Sequence, residues 1–242
     1  MKRLLKKWGN SLRKRRRRWI QILDPGSKPD KCIIVASNGR SGSTLTYQAI
    51  REALALRDSS AANSFRFVSR LEEATFEAPF VYKTHDFPDA LAKKPFNVRV
   101  LFCFGSAKDS AFSVYSAMDR YGAEWVSKHF YNLHATGTFD DLFKKDVLQQ
   151  ARQIKEWATF EDVPVLCVHY DAIWDHKAEI SEFIGMEFQP PARKDREPKR
   201  IPDDLCLAAN QVYDPIDRVI GELPKVFLAS KEYKETVDKL PN

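Results

Sequence analysis

The chain has 242 residues, 43% of them hydrophobic and 12% aromatic, with a net charge of +6. This composition suffices for a sizeable core and excludes wholesale disorder, a collagen-like repeat and a disulfide scaffold. No apolar run approaches the roughly 20 residues of a bilayer-spanning helix, so no transmembrane helix is predicted.

The charge is unevenly placed. Residues 1–18 hold ten Lys or Arg and no acid, which leaves a net −4 on the rest of the chain. A general argument for nucleic-acid binding therefore fails, and no specific nucleic-acid partner is expected. Residues 1–24 read as a basic arm, made partly amphipathic by Leu4, Leu5, Trp8, Leu12, Trp19, Ile20 and Leu23. Three readings stay open for it: a contact with an anionic membrane surface, a grip on a polyanion, or a solvated arm whose tryptophans pack on the domain. No apolar stretch of a secretory signal follows the charges.

Pro25-Gly26 ends the arm, and residues 25–242 read as one large domain. Cys32-Ile-Ile-Val-Ala36 predicts a strand buried on both faces. After the Ser37–Thr44 loop, a helical pattern runs from about Thr44 to Arg57. Strands follow at Phe80–Thr84 and Val98–Phe104, then helices over Ala107 to about Tyr121 and about Phe139 to Phe160. Val163–Tyr170 is a fourth strand, and Ala172–Ile184 a helix stopped by Gly185. A Pro- and charge-rich stretch, Gln189–Asp204, leads into a helical tail. Apolar strands alternating with helices predict a three-layer αβα fold around a central parallel sheet. In such sheets ligands sit beyond the carboxyl ends of the strands. The four cysteines lie far apart, and Cys32, Cys103 and Cys167 fall in strand-like runs. They read as reduced thiols in a cytoplasmic compartment, with no metal site.

The loop Ser37-Asn-Gly-Arg-Ser-Gly-Ser-Thr44 joins a strand to a helix. Its glycines let backbone N–H groups approach a ligand, and the helix start adds unpaired donors and a positive dipole end. Arg40 supplies fixed charge, and Ser41, Ser43 and Thr44 supply hydroxyls. The alternative is an ordinary strand-to-helix turn with serine caps. The loop is not a Walker A sequence, because Gly42 stands where the lysine before Ser43 would be. That counts against a P-loop kinase or nucleotide switch, which remains the runner-up.

Four segments in order, across about residues 32–186, resemble the sulfotransferase family, whose donor is 3′-phosphoadenosine 5′-phosphosulfate (PAPS). Arg40-Ser41-Gly42-Ser43-Thr44 is similar to its 5′-phosphosulfate loop. Tyr82-Lys83-Thr84-His85 is similar to its Lys-Thr-His segment, whose histidine is the base. Leu101–Ser116, with Lys108-Asp109 and Ser113, resembles its 3′-phosphate segment. Val168-His169-Tyr170-Asp171 resembles the strand end whose tyrosine lies near the adenine. The resemblance implies a P-loop NTPase-like sulfotransferase fold and sulfuryl transfer to an acceptor hydroxyl of a glycan, lipid or small molecule, without a metal. His85 would be the general base and Lys83 would meet the bridging oxygen of the donor. Arg40, Ser41, Gly42, Ser43, Thr44, Lys108, Ser113 and Tyr170 would bind the donor.

One departure stands out. Gly105 occupies the place where the family usually has the arginine that binds the 3′-phosphate. Lys108, or the basic stretch Arg193-Lys194-Asp195-Arg196, is the expected substitute, with Arg193-Lys194 similar to a clamping pair of some members. A sulfotransferase-like binding protein without catalysis is the further alternative. The acceptor is expected to lie between variable loops, Phe65–Ala78 and Asp119–Phe139. His129, His134, His169 and His176 show no spacing that suggests a metal or a triad.

Overall fold

The run Cys32-Ile-Ile-Val-Ala36 forms the middle of a six-stranded sheet in the computed structural model, which describes residues 31–57, 64–92, 97–194 and 199–241. The strands are β1 (Cys32–Ser37), β2 (Phe65–Phe67), β3 (Val81–Thr84), β4 (Val98–Phe104), β5 (Val165–His169) and β6 (Val226–Leu228). Their order is β2-β3-β1-β4-β5-β6, all parallel except β6, which runs antiparallel to β5. The helices are α1 (Ser43–Arg57), α2 (Ala107–Asn132), α3 (Gln150–Thr159), α4 (Lys177–Ile184), α5 (Asp203–Glu222) and α6 (Lys234–Val237).

Successive strand side chains point to opposite faces, and here both faces are apolar. Cys32, Ile34, Ala36, Val100 and Phe102 pack against α2, α3 and α5, with Trp157 of α3 stacked 5.6 Å from Phe102. Ile33, Val35, Leu101 and Cys103 pack against Ile50 and Leu54 of α1 and Ile180 and Ile184 of α4. Three layers follow, as the alternating pattern predicts. No described helix is long and apolar enough to cross a membrane.

Several boundaries differ from the sequence reading. The helix expected over Phe139–Phe160 begins only at Gln150, because Gln149 takes a left-handed φ of 55° and Asp146 caps the new start through Ala151 N (2.8 Å). The helix from Ala107 does not end at Tyr121. It breaks at Gly122 (φ 79°, ψ 176°) and resumes to Asn132, so much of the expected 119–139 loop is helical. The α4 helix starts at Lys177 rather than Ala172, and Gly185 ends it in the left-handed conformation. The short strands β2 and β6 lie in stretches read as loop and helical tail. The basic arm, with its membrane and polyanion readings, lies outside the described residues.

The register aligns the strand ends. Ala36 pairs with Thr84, Ser37 with Cys103 and Phe104 with His169. The segments after β1, β3, β4 and β5 therefore emerge side by side at one edge. The chain leaves β1 toward β2 and leaves β4 toward β5, in opposite directions across the sheet. A crevice at that switch point is where open α/β sheets bind ligands.

Candidate active site

The crevice is present. A cavity of about 910 Å³ opens over the strand ends, lined by residues of the first loop, β3, α2 and the stretch before α5. Its size lies toward the upper end of the roughly 300–1,000 Å³ typical of small-molecule sites.

The first loop has an unusual backbone. Gly39, Arg40 and Gly42 all have positive φ, at 82°, 53° and 91°. Left-handed conformation at a non-glycine residue is uncommon, and a turn that mixes right- and left-handed residues suits an anion-binding nest of backbone N–H groups. The α1 helix starts directly above, with Thr46 N bonded to Gly42 O at 3.0 Å. Gly42 has a second constraint, since a Cβ there would meet Tyr170 Cδ2 at 2.7 Å. The ring of Tyr170 thus packs on the nest and lines the cavity. Ser41 Oγ donates to Cys103 O at 2.7 Å, which fastens the loop to β4.

His85 follows β3 and is 6% exposed at the cavity wall. Its Nδ1 lies 3.1 Å from Ser37 O and 2.9 Å from Ser37 Oγ. A carbonyl only accepts, so this contact places the proton on Nδ1 and leaves Nε2 with a free lone pair. Behind the ring, Gln153 Nε2 donates to His85 O at 2.6 Å and Trp157 Nε1 to Asp86 O at 3.1 Å. The fully buried Gln150 donates to Ala107 O at 2.8 Å, and its Oε1 accepts from Asn38 Nδ2 at 3.3 Å. Two glutamines on the core face of α3 thus lock the loop after β1, the end of β3 and the start of α2 together. Burial first, and then the charge of Lys83, lower the His85 imidazole to about 4.

Lys83 Nζ donates to Thr44 Oγ1 at 2.6 Å. Burial, then the Arg40 guanidinium, lower its ammonium below the usual lysine range. Arg40 Nε donates to Ser113 Oγ at 2.8 Å, and its guanidinium stands 5.6 Å over the Trp125 ring. The structure thus gathers Arg40, Gly42, Ser43, Thr44, Lys83, His85, Ser113 and Tyr170 around one cavity. No family model matches the chain, and no curated protein matches it.

Four predicted residues are not brought to that cavity: Ser41, whose hydroxyl is turned to Cys103 O, and Lys108, Arg193 and Lys194. Lys108 turns away to α5, where Asp214 Oδ1 (2.5 Å) and Asn210 Oδ1 (3.0 Å) hold it. Arg193 pairs with Asp171 (3.1 Å) and lies over Trp174 (5.4 Å), and Lys194 is exposed beside it. The N-terminus of α2 is filled already: Asp217 accepts from Ala107 N (2.6 Å) and Ser106 Oγ (2.7 Å). A carboxylate there satisfies the donors and the dipole that a phosphate would otherwise use. Gly105 itself has ordinary room, since a Cβ would sit 3.5 Å from Tyr170 Cβ.

The structure picks out further individual side chains, all but Lys199 within the two segments expected to hold the acceptor. His129 is 7% exposed, 5.5 Å edge-on from the His85 ring and stacked 4.8 Å from Trp125. Arg120, Tyr121, Lys128, Asn132, Lys199 and Phe67 also line the cavity. The signal was the spacing of Trp125, Lys128, His129 and Asn132, which marks one face of a helix. Reading the stretch as a loop concealed it. Among the described residues no group of three or more His, Cys, Asp or Glu is placed to hold a metal ion.

Proposed function

We propose that this chain is a PAPS-dependent sulfotransferase with a P-loop NTPase-like fold. The observation that carries the reading is the juxtaposition at one cavity of a loop with positive φ at Gly39, Arg40 and Gly42, the cations Arg40 and Lys83, and the buried imidazole of His85. The nest and the first turn of α1 fit a doubly charged phosphosulfate, with Arg40, Lys83 and Thr44 beside it. Arg40 reaches Ser113, the residue that resembles the family's 3′-phosphate serine, and so brings a guanidinium to the place that Gly105 leaves without one.

The chemistry asked of the residues is modest. PAPS, when bound, supplies an activated sulfur–oxygen bond. His85 Nε2 takes the proton of the acceptor hydroxyl as its oxygen bonds to sulfur. Lys83 and Arg40 stabilise the charge that develops on the 5′-phosphate oxygen as the old sulfur–oxygen bond breaks and adenosine 3′,5′-bisphosphate leaves. The neutral state of His85 suits proton acceptance. A bound anion offsets the charges of Lys83 and Arg40 and so raises the basicity of the ring when it is needed.

A second reading has its own support: with Gly105 small and Lys108 held by Asp214, the chain binds the nucleotide without transferring sulfate. One experiment separates these from a nucleotide kinase. Adenosine 3′,5′-bisphosphate without magnesium raises the melting temperature, and ATP with magnesium does not, since only a ligand of the native state stabilises it. The reverse result overturns the sulfotransferase proposal. Bisphosphate binding with no transfer from PAPS to any acceptor favours the second reading.

A further inference from the structure

The transfer reading uses the nest side of the cavity and leaves its opposite wall unexplained. Ser113 holds Arg40; beyond it, Ser116, Ala117, Arg120 and Tyr121 recur along the first half of α2, and Trp125, Lys128, His129 and Asn132 along the second. One face of each half therefore fronts the cavity. Arg120 and Lys128 form no ion pair and no hydrogen bond within the described residues, and no Asp or Glu lines this cavity. Arg40 and Lys83 already serve the donor, and Lys199 Nζ is anchored on Asp109 O at 2.6 Å. Two cations thus remain for something else. Beside them Tyr121 is 51% and Phe67 45% exposed; Arg120 lies 6.0 Å over the Tyr121 ring and Trp125 packs 5.3 Å from it, and the remaining ring surface is open at the mouth.

Unpaired cations gathered without carboxylates repel one another, and an anion relieves that cost. Exposed aromatic faces next to them suit a ring, not a flexible chain. Resting on the sulfuryl-transfer reading, we infer that the acceptor hydroxyl belongs to a ring compound carrying its own fixed negative charge, a carboxylate or sulfate that Arg120 and Lys128 hold. This anion subsite is distinct from the donor nest and selects the acceptor.

The test uses matched acceptors on the full chain with PAPS. One pair is a glucuronate-containing disaccharide and its uncharged glucose counterpart; the other is 4-hydroxybenzoate and 4-hydroxybenzyl alcohol. The pair that responds identifies whether the ring is a sugar or an arene. In that pair kcat/KM is about tenfold higher for the charged member, the upper scale of two exposed charge contacts, and the preference shrinks with salt. The double variant Arg120→Gln/Lys128→Gln loses the preference while its affinity for adenosine 3′,5′-bisphosphate is kept. The charge-retaining Arg120→Lys/Lys128→Arg keeps the preference. Equal or better use of the neutral members, or a preference that survives the double Gln variant, overturns the inference. Should bisphosphate not bind the wild-type chain, the transfer reading falls by itself. Calorimetric binding of the charged probe, present in wild type and lost in the double Gln variant, then still upholds the anion subsite, and its absence removes it.

Discussion

His85 combines two properties that oppose each other. Burial and the charge of Lys83 keep its ring neutral, which is the state a base must be in, yet the same terms make it a weak base. Geometry compensates. The Ser37 carbonyl fixes the tautomer, and Gln153 holds the backbone, so Nε2 needs no reorganisation to meet a hydroxyl at the cavity wall. Loss of a positioned base costs about 10²–10⁴ in rate. We therefore expect His85→Asn to lower kcat by that range, read as transfer of labelled sulfate from PAPS. Its calorimetric affinity for adenosine 3′,5′-bisphosphate should stay within about twofold of wild type, because the ring is not asked to hold the nucleotide. Full turnover in the variant would remove His85 from the mechanism. Weak bisphosphate binding with normal turnover would do the same, by making the ring a structural neighbour of the nest.

Among the elements, α2 decides what the cavity is. Its break at Gly122 combines φ 79° with ψ 176°, a region essentially closed to residues with a Cβ. A Cβ there would meet nothing within 4 Å, so the requirement is conformational and not spatial. Gly122→Ala should destabilise the chain by about 1–3 kcal/mol. It should also raise the acceptor KM, since the break sets where Trp125, Lys128 and His129 stand, while bisphosphate still raises the melting temperature. An unchanged melting temperature for the variant alone would show that the break is not stored in the glycine. This helix also shows where the sequence was legible and where it was not. The β1 and β4 strands, the nest loop, the Gly185 stop and the end of β3 could be read because local patterns fix them: apolar runs, glycines and alternation. Helix α2 beyond Tyr121 and the late start of α3 turn on single backbone conformations, at Gly122 and Gln149, that an apolar pattern does not announce. The short strands β2 and β6 depend on pairing with β3 and β5. The Lys108 side chain is of the same kind, because Asp214 is 106 residues distant and no local pattern announces it. Lys199 was hidden likewise: in the stretch Gln189–Asp204 the resemblance draws attention to Arg193-Lys194, and the Lys199 anchor on Asp109 O lies 90 residues away.

The whole molecule carries the electrostatic cost of the site. His85 is lowered to about 4, and His129 is pushed well below its usual 6.5, by burial first and then by His85, Arg40 and Lys83. Unfolding returns both rings to water, where they protonate near 6.5. Between roughly pH 6.5 and 4 the unfolded chain therefore binds protons that the folded chain does not, so stability falls as pH falls through that window. Each imidazole contributes a slope of up to about 1.4 kcal/mol per pH unit. Buried carboxylates act in the other direction: burial raises Asp146 and Asp217, which favours the folded state as pH drops. The histidines titrate from a higher unfolded value, so they govern the upper part of the window. Guanidinium unfolding followed at pH 7 and pH 5 should show a lower midpoint at pH 5 for wild type. The difference should shrink in His85→Asn/His129→Asn, whose side chains do not titrate. Adenosine 3′,5′-bisphosphate should restore part of the loss at pH 5, because its phosphates offset Lys83 and Arg40 and let the folded state accept a proton. If wild type and the double variant lose stability in parallel between the two pH values, the two rings are not held neutral by the fold, and the field assigned to the site is wrong.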